Sequence, residues 1–239
     1  MVSNEVLHAL SYPFQIPSNS FILKDNSVYS VKQNGDILQR TGFPVLAAGS
    51  NQSVEQLARK YSDLIDVGEI FAERGLLYNF DTVYAADVTA YGSVPATFQA
   101  SPGTSVKVFL LWLSENQLLR MHETEKNYFF DRLLNIEVKT EFGITLHEAY
   151  AYSSRNGCLN YNGKPIALAE IPALDFCFSR VYQKRAQEIL RDRVIPKVSL
   201  NQFVTININN AAKRVDCVNI IKKDAIPLQF ERELVAELK

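Results

Sequence analysis

The sequence predicts an α+β fold: a barrel-like sheet with two helices inserted early, followed by a helical C-terminal segment. Three observations support this class. Short alternating or β-branched runs, typical of strands, dominate residues 43–170. Two segments in that region have helical spacing and begin with a serine three residues before a glutamine, which is a capping-box pattern. After Pro172 the apolar spacing becomes helical.

The elements divide the chain into three predicted segments. Residues 1–40 are expected to form an extended arm that lies on the main domain, because Pro13 and Pro17 interrupt any regular element there. Residues 41–172 form the main domain, and residues 173–239 form a helical extension packed on it. The predicted elements are strands at 106–113, 134–141 and 144–152, two strands or one bulged strand within 82–100, turns at 101–104 and 162–163, and helices at 181–194, after 199 and at 211–223.

Composition and charge exclude several classes of protein. The chain has 239 residues, 47% of them hydrophobic and 21% charged, with a net charge of −1, so we expect neither a nucleic-acid nor a membrane partner. The N-terminus lacks the basic and apolar regions of a signal peptide. Cys158, Cys177 and Cys217 form no C-x-x-C pair, so we expect neither a zinc site nor a disulfide framework. A cytoplasmic location follows as the default, with the oligomeric state left open.

Residues 43–57 predict a buried strand, a tight loop at Gly49, Ser50 and Asn51 (hereafter the glycine–serine loop), and a helix. Ser53 and Gln56 form the capping-box pattern that places the helix start near residue 54. A glycine turn that leads into a helix N-terminus presents free backbone N–H groups and the positive end of the helix dipole. Such a loop can bind a carboxylate or phosphate, although many strand-to-helix turns bind nothing.

Glu125 is the most informative acidic residue. On the helix that begins after Ser114, it shares one face with Leu118, Met121 and His122, which stand seven, four and three positions before it. This face is apolar and should point inward, so Glu125 is expected to be partly desolvated, and desolvation disfavours the charged form of a carboxylate. Such a group suits general acid–base catalysis. The alternative is that the helix ends one residue earlier and leaves Glu125 exposed.

Other catalytic arrangements find little support. His122 could be a catalyst or a ligand, but a lone histidine on a half-apolar face is more often a structural hydrogen-bonding group, and His8 and His147 have no metal-site spacing with it. The sequence contains no G-x-S-x-G elbow, Walker loop or G-x-G-x-x-G motif. A serine-hydrolase triad built on Ser50 is also disfavoured, because no histidine and aspartate accompany it in a recognisable order.

Four motifs in order across residues 43–170 resemble the γ-glutamyl cyclotransferase-like family. Singly each is weak, but their order and spacing together are moderately specific. They are Ala48-Gly49-Ser50-Asn51, similar to the family's Tyr-Gly-Ser-Asn loop; Tyr91-Gly92-Ser93 followed by Ser101-Pro102-Gly103 and a strand; the helix end Met121-His122-Glu123-Thr124-Glu125 with Asn127-Tyr128 beyond it; and the strand Ala149-Tyr150-Ala151-Tyr152.

The resemblance implies a mixed β-barrel with flanking helices and an amine-releasing transferase or lyase that needs neither metal nor cofactor. Glu125 stands at the position of the family's catalytic glutamate. In the family this residue takes a proton from the α-amine of a γ-glutamyl group, and the amine then attacks its own γ-carbonyl to give 5-oxoproline and a free amine. The substrate would be a small-molecule amide, and the implied substrate-binding residues are Ala48, Gly49, Ser50, Asn51, Tyr128 and Tyr152.

Three departures from the family pattern affect the implied site. Ala48 replaces the loop tyrosine, His122 replaces an aspartate three residues before the glutamate, and Lys126 replaces the glycine after it. These departures leave two alternatives open. One is a non-catalytic module on the same fold that binds a small molecule or a protein, and the other is an amide-processing enzyme whose substrate is not γ-glutamyl.

Overall fold

The computed structural model describes residues 2–31, 40–64 and 67–238. This part of the chain forms a mixed α+β fold. Its six α-helices are α1 (Asn4–Leu10), α2 (Val54–Tyr61), α3 (Glu115–Thr124), α4 (Gln183–Val194), α5 (Leu200–Asn209) and α6 (Ala211–Ile221). Its strands are β1 (Phe21–Lys24), β2 (Ser27–Ser30), β3 (Phe43–Ala47), β4 (Ile70–Tyr84), β5 (Ala96–Leu113), β6 (Tyr128–Leu133), β7 (Glu137–Thr140), β8 (Thr145–Leu146), β9 (Ala149–Ser154), β10 (Asn160–Tyr161), β11 (Lys164–Leu168), β12 (Ala173–Leu174), β13 (Ser179–Val181) and β14 (Arg232–Glu237).

The strands form one large mixed sheet that is open. Its main order is β10-β11-β4-β5-β3-β9-β6-β14, with the shorter strands paired at its sides. β3 and β9 are parallel, whereas β4 and β5 form a long antiparallel pair at the centre. Among the described strands, β10 and β14 lie at opposite ends of this order and do not pair. The predicted closed barrel is therefore wrong, because β14 occupies the edge of β6 that a closing strand would need.

The predicted turn at residues 101–104 is also wrong. These residues lie within β5, opposite the point where the register with β4 shifts between Tyr78 and Phe80. Asn79 adopts a positive φ of 60° at the shift, and its Oδ1 accepts the Gly103 N–H at 2.9 Å. Pro102 and Gly103 thus build an irregularity inside a long strand. Within residues 82–100 the structure has two strands, and the loop between β4 and β5 contains Tyr91.

The two capping-box predictions have different outcomes. At α3 the box forms as predicted: the Ser114 side chain accepts the Gln117 N–H, and the Gln117 side chain accepts the Ser114 N–H. At α2 the helix begins at residue 54 as predicted, but Ser53 makes no capping bond. The Ser53 hydroxyl oxygen is instead buried and has no hydrogen-bond partner among the described residues.

In the terminal segments, α1 and β14 are elements that the sequence patterns do not predict, whereas the hairpin of β1 and β2 agrees with the extended structure expected within residues 1–40. Within residues 1–40, expected to be extended, residues 4–10 form α1, which packs on α4 and α5. The hairpin of β1 and β2 joins the sheet through β4. The predicted C-terminal helices are present as α4, α5 and α6, but β14 follows them and pairs with β6. The division of the chain into three segments stays a prediction.

Hydrophobic side chains fill both faces of the sheet. In β5, Val108, Leu110 and Trp112 belong to one cluster, which α1, α4, α5 and α6 cover, whereas Leu111 and Leu113 belong to a second cluster beneath α2 and α3. This alternation is the period-two pattern of a strand that is buried on both faces. The second cluster anchors the two helices that carry the candidate site. No helix in the described part of the chain is long and apolar enough to cross a membrane.

Candidate active site around Glu125

A cavity of about 380 Å³ lies where the glycine–serine loop, α2 and the end of α3 meet. Its volume falls in the range of small-ligand sites. The structure brings every site residue predicted from sequence to its wall. These residues are Ala48, Gly49, Ser50, Asn51, Glu125, Tyr128 and Tyr152. Their roles in binding and catalysis stay predictions.

The glycine–serine loop leaves the end of β3 and packs tightly against the N-terminal segment. A Cβ atom added to Gly49 would lie 1.9 Å from the hydroxyl oxygen of Tyr12 and 2.9 Å from the Cβ of Ala96. The Tyr12 oxygen is itself held in place, because it accepts the Ala96 backbone N–H at 2.8 Å. Glycine is therefore required at position 49 by this close approach. Tyr12 also lines the cavity, so part of residues 1–40 contributes to its wall.

Glu125 lies at the C-terminal cap of α3 and points inward, with its side chain 13% exposed. Its Oε1 accepts a hydrogen bond from the Asn51 side-chain amide at 3.1 Å. The same oxygen forms an ion pair with the ammonium group of Lys60 on α2, whose side chain is 11% exposed. One amide group and one ammonium group thus hold the same carboxylate oxygen.

Tyrosine side chains form much of the surroundings of Glu125. Burial, the larger cause, and the negative charge of Glu125, the second cause, together raise the pKa of Tyr91 to about 12. The same two causes raise the pKa of Tyr12, Tyr128 and Tyr152 above the ordinary value. These phenols consequently keep their protons at neutral pH. The Tyr128 hydroxyl donates to the carbonyl oxygen of Ala96 at 3.2 Å, which fixes its direction.

His122 has a structural environment. Its Nδ1 lies 2.9 Å from the Tyr152 hydroxyl oxygen, and its ring packs edge-on against Phe130. Burial lowers the pKa of His122 below the ordinary value, which favours the neutral imidazole. His122 is not among the residues that line the cavity. The contact of His122 therefore positions Tyr152. This agrees with the interpretation of His122 as a structural hydrogen-bonding group.

Three further cationic side chains line the cavity. Arg120 is occupied by other groups, since its guanidinium pairs with Asp63 and Glu123. Arg59 is exposed and donates to the Gln56 side chain at 2.5 Å, and Lys126 is exposed at the opening. Among the described residues, no group of three or more histidine, cysteine, aspartate and glutamate side chains has the arrangement of a metal site.

The sequence analysis does not identify Lys60, Tyr12 or Tyr91 as site residues. Lys60 lies on the helix that follows the glycine–serine loop, seven positions after Ser53. Its place on this helix is the sequence feature that could have indicated a role at the site. Tyr12 reaches the cavity only through tertiary packing, and no local pattern marks it. Tyr91 belongs to the Tyr91-Gly92-Ser93 motif, but that motif does not assign it to the site.

Comparison with known proteins adds a distant structural likeness. No family model matches the sequence, and no curated protein matches it. Two solved structures that resemble the chain are a gamma-glutamyl cyclotransferase and an uncharacterized protein, loc79017, from Homo sapiens. Each match covers 82% of this chain and 95% of the other chain, with 15% sequence identity and a TM-score of 0.37. A likeness this distant carries no argument about activity, so the functional argument depends on the geometry of the cavity.

Proposed function

We propose that the protein is a γ-glutamyl cyclotransferase-like enzyme that cyclises a γ-glutamyl or similar small amide to 5-oxoproline and releases an amine. The observation that supports this proposal is the meeting of two distant segments in one cavity. The glycine–serine loop follows β3, and Glu125 ends α3, yet Asn51 Nδ2 lies 3.1 Å from Glu125 Oε1. A substrate-binding loop and an acid–base carboxylate in one small cavity are the two components that the reaction needs.

The proposed reaction begins with a substrate whose α-ammonium group lies against Glu125. The carboxylate accepts one proton from this group, which frees the nitrogen lone pair for attack on the γ-carbonyl carbon. A new C–N bond closes the five-membered ring. Glu125 then gives this proton to the leaving nitrogen as the original C–N amide bond breaks. The ring nitrogen still carries one proton too many, and it passes this second proton to the Glu125 carboxylate, which transfers it to the released amine. The products are a neutral lactam and an ammonium ion. Atoms and charge balance without a covalent enzyme intermediate.

The cavity can supply most of the catalytic effect through positioning. Both reacting groups belong to one substrate molecule, so holding them in an attack geometry lowers the entropic cost of the reaction. The phenol group of Tyr91 is protonated and can donate a hydrogen bond to a substrate carboxylate or to a developing oxyanion. The glycine–serine loop, with its backbone N–H groups, is proposed to bind the anionic end of the substrate.

The test is 5-oxoproline release from a panel of γ-glutamyl amides, with wild type compared with Glu125→Gln. Loss of an acid–base group should lower the rate by about 10²–10⁴-fold. The matched control is Glu115→Gln, since Glu115 lies on the same helix, is exposed and does not line the cavity. Equal rates in wild type and Glu125→Gln would remove Glu125 from the mechanism. Turnover of amides that lack an α-amine would favour an amide-processing enzyme that forms no ring.

The Lys60–Glu125 ion pair supports a second candidate, a binding module that keeps the cavity without turnover. In that case the carboxylate would serve to hold α2 against α3. This candidate predicts that γ-glutamyl amides bind to wild type and to Glu125→Gln with similar affinity, measured by calorimetry, and that neither protein releases 5-oxoproline.

A further inference from the structure

We propose that Lys60 is a positioning residue for Glu125: together with Asn51 it holds one carboxylate oxygen in place in the charged form and leaves the other oxygen free to receive the substrate proton. This inference rests on the proposed function, because it assigns a task to Lys60 in the same reaction. It adds a residue that neither the motifs nor the family resemblance indicates.

The two oxygens of Glu125 have different surroundings. Oε1 accepts from the Asn51 amide and from the Lys60 ammonium group. Among the described residues no group donates a hydrogen bond to Oε2, and the side chain lines the cavity, so Oε2 is the oxygen that a ligand can reach. A carboxylate held through one oxygen has a fixed direction for the other. Proton transfer requires such a defined direction.

Lys60 is itself fixed by contacts between α2 and α3. Its backbone carbonyl accepts the Arg120 Nε–H at 2.7 Å, which ties the last turn of α2 to the middle of α3. Arg120 also pairs with Asp63 and with Glu123, so the junction is held on both sides. The Lys60 ammonium nitrogen lies 3.5 Å from the Met121 sulfur, against the apolar face of α3. The backbone and side chain of Lys60 are therefore held in position where the ammonium group meets Glu125.

The other charged and titratable groups around Glu125 cannot replace Lys60. The negative charge of Glu125 contributes to the raised pKa of five tyrosines, which are therefore neutral at neutral pH. These tyrosines lie on the N-terminal segment, α2, the loop before β5, β6 and β9. They are Tyr12, Tyr61, Tyr91, Tyr128 and Tyr152. Arg59 and Lys126 line the cavity, but neither has an ion pair with Glu125 in the described structure.

The direction of the effect follows from charge. An ammonium group in contact with a carboxylate favours the ionised carboxylate, which is the form that accepts a proton from the substrate. Removal of the ammonium group makes protonation of Glu125 easier, so the active form is lost at a higher pH. The acid limb of the kcat/KM profile reports this group in the free enzyme. Its midpoint should accordingly move to higher pH when Lys60 becomes neutral.

The experiment measures the pH dependence of kcat/KM for 5-oxoproline release in wild type, Lys60→Met and Lys60→Gln. Because a neighbouring opposite charge typically changes such a midpoint by about 1–3 units, we expect a shift of about one unit or more toward higher pH in both variants. Glutamine can still donate a hydrogen bond, so it serves as the second variant if methionine prevents folding. Lys213→Met, which removes an exposed charge on α6, controls for net charge and should leave the profile unchanged.

A second measurement is independent of activity. The side-chain carboxyl of Glu125 is followed by ¹³C NMR in protein labelled at glutamate, with the resonance assigned from its loss in Glu125→Gln. A higher titration midpoint in the Lys60 variants than in wild type supports the inference even if no amide is turned over, a result that would reject only the proposed function. Identical midpoints in wild type and both Lys60 variants overturn the inference. So does an unchanged acid limb in active Lys60 variants.

Discussion

Gly49→Ala tests the packing that holds the glycine–serine loop at the cavity. The added methyl group would lie 1.9 Å from the Tyr12 hydroxyl oxygen and 2.9 Å from Ala96 Cβ, so the Tyr12 ring must move. Overpacking of this kind typically costs about 1–3 kcal/mol. Movement of Tyr12 also leaves the buried Ala96 N–H without its acceptor, which costs about 1–3 kcal/mol. We expect the free energy of unfolding of Gly49→Ala to fall by the sum of the two, about 2–6 kcal/mol.

Urea unfolding of Gly49→Ala, Tyr12→Phe and the double variant measures this effect. Tyr12→Phe alone removes the acceptor for the Ala96 N–H, and it also removes the atom that the new methyl group meets at the shortest distance. The two substitutions should therefore be less than additive, with a coupling of about 1 kcal/mol. Additive losses, or a Gly49→Ala variant as stable as wild type, would refute the proposed contact between the loop and Tyr12.

Two further predictions concern helix capping and pH. Ser114→Ala should lower the free energy of unfolding by about 1 kcal/mol, because it removes a formed capping box. Ser53→Ala should lower it by less, because Ser53 makes no capping bond. Urea unfolding of both variants measures the two losses, and equal losses would contradict this prediction. Burial raises the pKa of Asp87 to about 6, so folding is favoured while this group is protonated, and that contribution is lost as the pH rises from about 4 through about 6. Asp87→Asn should gain stability relative to wild type across this interval, as measured by urea unfolding. A constant difference between the two proteins at pH 4 and pH 7 would contradict the desolvation of the half-buried Asp87 carboxyl.

Local patterns in the sequence predict the parts of the site that depend on a single element. The Ser114 capping box places the start of α3, and helical spacing from Leu118 and Met121 places Glu125 on the inward side. These inferences succeed because capping and periodicity involve residues within about two turns of one another. The position of the glycine–serine loop between β3 and α2 follows from similarly local signals.

The remaining parts of the site depend on tertiary packing. Lys60 meets Glu125 only because α2 lies on α3, and Tyr12 reaches Gly49 only because the N-terminal segment packs beside β5. The sequence around Ser53 has the capping-box pattern, yet the packed structure leaves its hydroxyl group without a partner. The local sequence thus permits a capping hydrogen bond at Ser53 that does not form in the folded structure.

The open sheet has a similar explanation. The segment that forms β14 has no strong strand pattern, and two of its apolar residues, Leu234 and Val235, are exposed. Its strand conformation comes from pairing with β6, a partner about 100 positions away, as the register of Arg232 with Leu133 shows. Edge pairing of this kind depends on a free strand edge being available. The predicted barrel closure fails for the same reason.

The most direct test of the proposed reaction is quantification of 5-oxoproline and free amine after incubation of wild type and Glu125→Gln with the same γ-glutamyl amide. The proposal predicts equal molar amounts of the two products from wild type, and a rate lower by about 10²–10⁴-fold in Glu125→Gln when the variant has native stability. The absence of 5-oxoproline with every γ-glutamyl amide tried, or its formation at the wild-type rate by Glu125→Gln, would contradict it.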